Sequence, residues 1–293
     1  MLGAMLRAAV VVFIAMLAPS AAAEPLQLAP WKDDLFGYPA VLSEENDGDF
    51  VVVGYDIDRD LYGRDEIQEK RARPEYVELV PQHEATFDAN GRRLKYIGVG
   101  KTDGEASVVV IYIHGQGGTR TQGASQWTFG GNFNRVMNLM RRNGGAYLSP
   151  DFTDFDETGV ADVRALMADQ KAKSPDAPIV VACGSQGGAL CWQLAADPEA
   201  AAMLGGLMLL GSGHDPDFAR TPAAKARVPV YMGQGSNDTV FAWQDQNAFA
   251  DRLRAAIPGY PVRFVLFDTG SHGTPIRMTD WRLILNWMLA ERG

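Results

Sequence analysis

The sequence has few of the residues that build metal sites and disulfide scaffolds. Its 293 residues include only two cysteines and four histidines. No Cys/His set has the spacing of a structural zinc site, and two cysteines are too few to staple a small domain. We therefore expect no metal site and a fold held by an apolar core, which a hydrophobic content of 46% is ample to supply.

Positive charge is also scarce. The chain has 27 Lys and Arg against 36 Asp and Glu, a formal net charge of -9, and its cations form no stripe. Nucleic-acid backbones bind to basic faces, so we expect no nucleic-acid partner. The acidity is typical of a surface that keeps a protein in solution.

The apolar run at residues 8–17 is too short to cross a bilayer, which takes ~20 residues in a helix. It follows one cation, Arg7, and precedes the small residues 20–23. That order is typical of a secretory signal peptide. We expect a signal peptide over residues 1–23, no membrane anchor after its cleavage, and a periplasmic or secreted mature protein with one domain over residues 24–293.

Residues 24–99 form a β-rich extension in which short β-like runs alternate with turns. The pair Asn90-Gly91 between two of these runs predicts a hairpin. The charged stretch 64–75 is interpreted as a solvated loop or an irregular helix. The β-like runs are 49–57, 76–80, 84–87 and 94–99.

Residues 100–293 have a different pattern, in which continuous apolar runs alternate with stretches of helical periodicity. Continuous apolar runs are typical of strands covered on both faces, as in a parallel sheet. The apolar runs are 107–113, 145–148, 179–183, 206–210, 228–232 and 262–267. The helical stretches are 132–142, 160–173, 186–196, 243–257 and 279–292.

Together these patterns predict an α/β fold. The order of elements indicates a three-layer sandwich with a mostly parallel central sheet and an antiparallel N-terminal hairpin at one edge. The stretch 210–229 is short and charged, so no large lid is expected there.

The strongest local motif is the junction at Cys183-Gly184-Ser185-Gln186-Gly187-Gly188, where an apolar strand passes straight into a helix. A serine at such a junction is a candidate nucleophile, because small neighbours allow a sharp turn that projects its hydroxyl above the sheet. The usual pattern is G-x-S-x-G, and here Cys183 stands at the first glycine position. The alternative is a glycine-rich turn that binds an anion.

A second motif follows the strand at 107–113, namely His114-Gly115-Gln116-Gly117-Gly118. Acyl transfer needs backbone N–H groups directed at the developing oxyanion. The amides of Gln116, or of Gly117, and of Gln186 are the candidates. His114 is interpreted as a residue that fixes this loop rather than as a base.

A serine hydroxyl becomes a nucleophile only when a base takes its proton and an acid orients that base. Asp238 follows the strand at 228–232 and His272 follows the strand at 262–267, in the order Ser, acid, His. We therefore expect Ser185, Asp238 and His272 to form a catalytic triad. Asp215 or Asp217, after the strand at 206–210, is the alternative acid.

With these motifs, residues 107–292 resemble the α/β-hydrolase superfamily. The segment 185–190 is similar to the nucleophile turn of the carboxylesterase, acyl-protein thioesterase and dienelactone-hydrolase-like branch. The resemblance implies hydrolysis of a small-molecule ester or thioester, with no metal or organic cofactor. A serine peptidase of the prolyl-oligopeptidase type and a non-catalytic binding module on the same fold are the alternatives.

Two further features concern the surroundings of Ser185. The glycine-rich stretch 119–132 contains Trp127 and Phe129, which we expect either to contact the substrate or only to pack the loop. Cys183 on the strand and Cys191 on the following helix lie at about the same depth below Ser185. They form either a disulfide or two buried thiols.

Overall fold

A computed structural model describes residues 25–292, so the predicted signal peptide lies outside the described residues. The strands are β1 (Val41–Glu45), β2 (Phe50–Gly54), β3 (Asp65–Glu66), β4 (Arg71–Ala72), β5 (His83–Ala89), β6 (Arg92–Gly100), β7 (Val109–Ile113), β8 (Ala146–Pro150), β9 (Ile179–Gly184), β10 (Leu204–Leu210), β11 (Val230–Gly235) and β12 (Val262–Asp268). The helices are α1 (Asp33–Phe36), α2 (Arg120–Gly123), α3 (Asn132–Arg142), α4 (Glu157–Lys173), α5 (Gly188–Ala196), α6 (Pro198–Met203), α7 (Pro222–Lys225), α8 (Trp243–Ala256), α9 (Thr274–Met278) and α10 (Trp281–Ala290).

Ten of these strands form one mixed sheet in the order β1-β2-β12-β11-β10-β9-β7-β8-β6-β5. The seven strands from β2 to β8 in this order pair in parallel. The two edges are antiparallel, since β1 pairs with β2 and the β5–β6 hairpin pairs with β8. Because the central strands are parallel, their carboxyl ends meet at one edge of the sheet, where ligands bind in open α/β folds.

The core lies on both faces of the sheet. In β7, Val109 and Ile111 belong to one apolar cluster, which also takes in residues of α4, α5 and α8. Val110 and Tyr112 belong to the other, with residues of α3 and α10. Side chains of a strand alternate between faces, so a strand covered on both sides is apolar throughout. The predicted three-layer sandwich with a mostly parallel sheet is confirmed.

The predicted N-terminal hairpin is also confirmed. Asn90 and Gly91, with φ of 55° and 86°, make the tight turn between β5 and β6. The rest of the N-terminal region does not stay beside this hairpin, because β2 pairs in parallel with β12 at the opposite side of the sheet. Residues 25–100 therefore supply both edges of a single sheet.

The prediction of a strand over residues 76–80 is wrong. Side-chain amides bind this backbone where a neighbouring strand would otherwise do so: Asn134 pairs with the N–H and C=O of Glu78, and Gln126 with those of Val80. The sequence pattern does not distinguish these two ways of satisfying an extended backbone.

The interpretation of residues 64–75 as a solvated loop or irregular helix is right only in part. Residues 67–70 are an exposed turn, but the segment contains the β3–β4 hairpin and Arg64 is only 4% exposed. Its guanidinium lies 5.0 Å from the ring centroids of both Phe36 and Tyr76. Burial lowers the pKa of Arg64 to about 10, so it remains a cation at neutral pH, held between aromatic faces.

Only a short connection joins β10 to β11. It contains a single 3₁₀ turn (Phe218–Arg220) and α7, which agrees with the expectation that no large lid is inserted there. Within residues 25–292, no helix combines the length and the apolar character that a membrane crossing requires.

Cys183 on β9 and Cys191 on α5 are joined by a disulfide, which settles the two alternatives left by the sequence. Their Cα atoms are 6.3 Å apart, inside the range of about 4.4 to 6.8 Å that a bridge requires. The bond joins the end of β9 to α5, the helix that follows it.

We predict that unreduced protein from an oxidising compartment resists alkylation at both cysteines, as measured by mass spectrometry. Replacing both cysteines by alanine should lower the free energy of unfolding by about 2–3 kcal/mol. The reason is that the cross-link between two residues eight positions apart in the sequence is lost. A reducing agent should lower the melting temperature of the wild type and leave that of the double variant unchanged. Alkylation of both cysteines without reduction would contradict the bridge.

Candidate active site

Ser185 lies at the sharp turn where β9 passes into α5. Its φ of 51° places a residue with a side chain in the left-handed region, at a cost on the order of 1–3 kcal/mol. Such strain persists only where the surrounding structure holds it. Here β9 is the central strand, paired on both sides by β7 and β10.

Gly187, two residues after the serine, must be a glycine because two backbones approach each other closely there. A Cβ on Gly187 would lie 2.8 Å from the carbonyl oxygens of both Ile113 and His114 at the end of β7. Cys183, at the other position of the usual motif, is fully buried and its side chain is bonded to Cys191. A side chain is thus accommodated two residues before Ser185 but excluded two residues after it.

The structure brings the three predicted residues Ser185, His272 and Asp238 together. His272 Nε2 is 2.8 Å from Ser185 Oγ, and His272 Nδ1 is 2.8 Å from Asp238 Oδ2. The Asp238 side chain is fully buried, while that of His272 is 31% exposed. With its proton on Nδ1, the imidazole donates to Asp238 and accepts from the serine hydroxyl.

The loops that carry Asp238 and His272 are tied to each other. Asn237 N–H donates to the Gly270 carbonyl oxygen at 2.8 Å, and Thr269 N–H donates to Ser236 Oγ at 2.7 Å. A Cβ on Gly235 would lie 2.4 Å from the Gly270 oxygen, so only glycine allows this contact. Both loops leave the carboxyl ends of neighbouring parallel strands, which sets their distance.

Asp238 accepts hydrogen bonds from more than the imidazole. Its Oδ1 accepts from the backbone N–H groups of Val240, at 2.7 Å, and Phe241, at 3.2 Å. Its Oδ2 accepts from Gln234 Nε2 at 2.8 Å as well as from His272. The sequence analysis did not predict a role for Gln234. The one signal that could have indicated it is that a polar residue stands near the end of a buried strand.

The alternative acids lie elsewhere. Asp215 Oδ1 accepts from the backbone N–H of Asp217, and Asp217 Oδ1 accepts from Arg220. His214 is hydrogen bonded to Gln246 rather than to either carboxylate. Among residues 25–292, no group of three acidic, His or Cys side chains could hold a metal ion.

The loop after β7 lies directly against the serine. A Cβ on Gly115 would be 3.0 Å from Ser185 Cβ, and Gln116 follows it. Within residues 25–292, the Gln116 N–H makes no hydrogen bond to another backbone group. The Gln116 amide can therefore donate a hydrogen bond to a group bound at Ser185. The same holds for the amide of Gln186, the residue after the serine.

His114 fixes the loop, in agreement with its interpretation from the sequence. Its Nδ1 donates to the Gly115 carbonyl oxygen at 2.9 Å, and its ring stacks on Phe152 with centroids 4.3 Å apart. Burial lowers the pKa of His114, so its imidazole is neutral near pH 7. Its partners are the loop and an aromatic wall, not the serine.

The structure separates the two predicted substrate residues. Phe129 Cε1 lies 3.6 Å from where a Cβ on Gly273 would be, beside the His272 loop. Trp127 instead packs under the guanidinium of Arg71, 4.5 Å from its ring centroid. Phe241, which the sequence did not indicate, has its ring centroid 5.9 Å from that of His272. Phe129 and Phe241 therefore both lie beside the loop that carries the imidazole.

Several solved structures have a similar fold. The Pyrococcus furiosus esterase Pf2001 is 15% identical with a TM-score of 0.55, covering 72% of this chain and 91% of that one. XC6422 from Xanthomonas campestris, a serine hydrolase without lid, is 17% identical with a TM-score of 0.51, covering 74% and 97%. ATU1826, a protein of unknown function from Agrobacterium tumefaciens, is 18% identical with a TM-score of 0.55, covering 72% and 96%.

At these identities the likeness shows the fold alone. Among curated proteins, none matches this chain. A sequence model of the alpha/beta hydrolase family matches residues 110–291, which is more than half of the chain and includes the loops of Ser185, Asp238 and His272. The chain belongs to the alpha/beta hydrolase family.

Proposed function

We propose that this hydrolase is an exported serine enzyme that cleaves a carboxylic ester or thioester through an acyl-enzyme. The observation that carries the proposal is the continuous line from the Asp238 carboxylate through His272 to Ser185 Oγ, with both contacts at 2.8 Å. It is the arrangement that turns a serine hydroxyl into a nucleophile.

In the proposed mechanism, Ser185 Oγ attacks the carbonyl carbon while His272 Nε2 takes its proton. The negative charge that forms on the carbonyl oxygen is stabilised by the backbone amides of Gln116 and Gln186, each worth on the order of 3 kcal/mol. Buried Asp238 holds the imidazole in one tautomer and stabilises its protonated form. His272 then protonates the leaving group, and water releases the acyl group by the same route.

Two features support export. The first 23 residues have the order of a signal peptide, and the Cys183–Cys191 disulfide is of a kind that persists in oxidising compartments. Both favour a periplasmic or secreted protein.

An apolar acyl or aryl group is the proposed substrate feature. Phe129 has a φ of 51°, which is uncommon for a bulky residue, and its ring lies beside the His272 loop. Phe241 lies against Gly213, with its ring centroid 5.9 Å from that of His272. One aromatic ring beside the His272 loop and another near its imidazole favour a substrate group that gains from leaving water.

Ser185→Ala and His272→Ala are each expected to lower turnover of a p-nitrophenyl ester by about 10⁵- to 10⁶-fold. Melting temperatures should stay close to that of the wild type, because the two side chains serve chemistry rather than core packing. Steady-state kinetics and thermal melts check both statements. Wild-type turnover by Ser185→Ala would overturn the proposal, and hydrolysis of peptides in preference to esters would favour the peptidase alternative.

The assignment of the acid has a matched control in the chain. Asp238→Asn should lower kcat by about 10⁴-fold, since the imidazole loses the partner that sets its tautomer. Asp215→Asn should keep nearly full activity, because its carboxylate bonds only within its own loop. The reverse pattern in kcat would move the acid to the loop after β10.

The two predicted aromatic residues should now behave differently. Phe129→Ala should raise KM for long-chain or aryl p-nitrophenyl esters by about tenfold, because a ring lost from the wall removes on the order of 1.5 kcal/mol of burial. Trp127→Ala should leave KM unchanged, since its ring packs on Arg71. A series of esters of increasing chain length provides the measurement. Equal effects of the two variants would contradict this placement of the substrate.

A further inference from the structure

Gln234 is a buried polar side chain at the edge of the active site. It is the next-to-last residue of β11 and is 2% exposed. Its Nε2 donates two hydrogen bonds, to Asp238 Oδ2 at 2.8 Å and to the Phe241 carbonyl oxygen at 2.9 Å. Glutamine is seldom fully buried unless its amide has defined partners.

The first of these bonds reaches the oxygen that also accepts from the imidazole. Both His272 Nδ1 and Gln234 Nε2 donate to Oδ2, while the backbone N–H groups of the loop donate to Oδ1. Loop amides move with the loop. Gln234, in contrast, projects from a strand paired on both sides, so it fixes Oδ2 relative to the sheet.

The second bond closes the loop that follows the acid. The Phe241 N–H donates to Asp238 Oδ1 and the Phe241 carbonyl oxygen accepts from Gln234. The Phe241 ring in turn lies beside that of His272, with their centroids 5.9 Å apart. One side-chain amide thus holds the carboxylate and the backbone that carries an aromatic neighbour of the imidazole.

We infer that Gln234 is a positioning residue of this active site, which acts by orienting the Asp238 carboxylate toward His272. The inference rests on the proposed function, since it concerns the base of that mechanism. Displacement of a reacting group by about 1 Å can cost on the order of 10²-fold in rate. Removal of the amide should therefore reduce kcat rather than the affinity for substrate.

The test uses Gln234→Met, which keeps the length of the side chain and removes both donors. Its matched control is Gln246→Met, which alters another buried glutamine that bonds His214 and not the acid. We expect Gln234→Met to lower kcat on a short p-nitrophenyl ester by about 10- to 100-fold with KM changed less than about threefold. Gln246→Met should keep kcat within about twofold.

A second background separates positioning from a merely structural role. If Gln234 acts through Asp238, its loss should matter little once the carboxylate is gone. In an Asp238→Asn chain, Gln234→Met should therefore lower kcat by less than about threefold. The same loss in both backgrounds, or no loss in the wild-type background, would overturn the inference.

Failure of the proposed function has a different signature. In that case the wild type would not hydrolyse the ester, and Ser185→Ala would not differ from it. An active wild type whose kcat is insensitive to Gln234→Met would leave the serine mechanism standing and remove Gln234 from it.

Discussion

The strained turn at Ser185 is the constraint on which the rest of the site depends. A residue with a side chain takes φ of 51° there, and the chain can hold this geometry because the turn is fixed on three sides. The carbonyl oxygens of Ile113 and His114 close in on Gly187, the central strand is paired on both edges, and the disulfide ties that strand to α5. The hydroxyl is thereby placed above the carboxyl edge of the sheet, where loops of the neighbouring strands can reach it.

Asp238 and His272 reach the serine as one unit. Their loops leave adjacent parallel strands, exchange backbone hydrogen bonds, and touch so closely at Gly235 that no side chain would fit. Buried Asp238 takes donors on both oxygens, from the loop backbone, from Gln234 and from the imidazole. The arrangement suits the general base that we propose, which must recover the same orientation in every turnover.

The sequence predicted the parallel core and the positions of Ser185, Asp238 and His272, because both depend on local signals. Continuous apolar runs indicate covered strands, and polar residues directly after such runs lie at one edge of the sheet. The sequence-based prediction was wrong where side chains, rather than neighbouring strands or solvent, are the partners of a segment. Residues 76–80 are extended but bonded to Asn134 and Gln126, and Arg64 is buried between aromatic rings. Trp127 packs on Arg71, which is distant in sequence, and the bond from Gln234 to Asp238 depends on how the loop leaves the strand. No local sequence pattern records either contact.

Reaction with a fluorophosphonate probe, followed by mass spectrometry of the labelled peptide, tests the central claim most directly. Only an activated serine attacks such a phosphorus centre at a useful rate, so labelling does not depend on knowing the natural substrate. The account predicts one phosphonate adduct, located on Ser185 and abolished by prior unfolding. An unlabelled folded protein, or an adduct on a different serine, would contradict it.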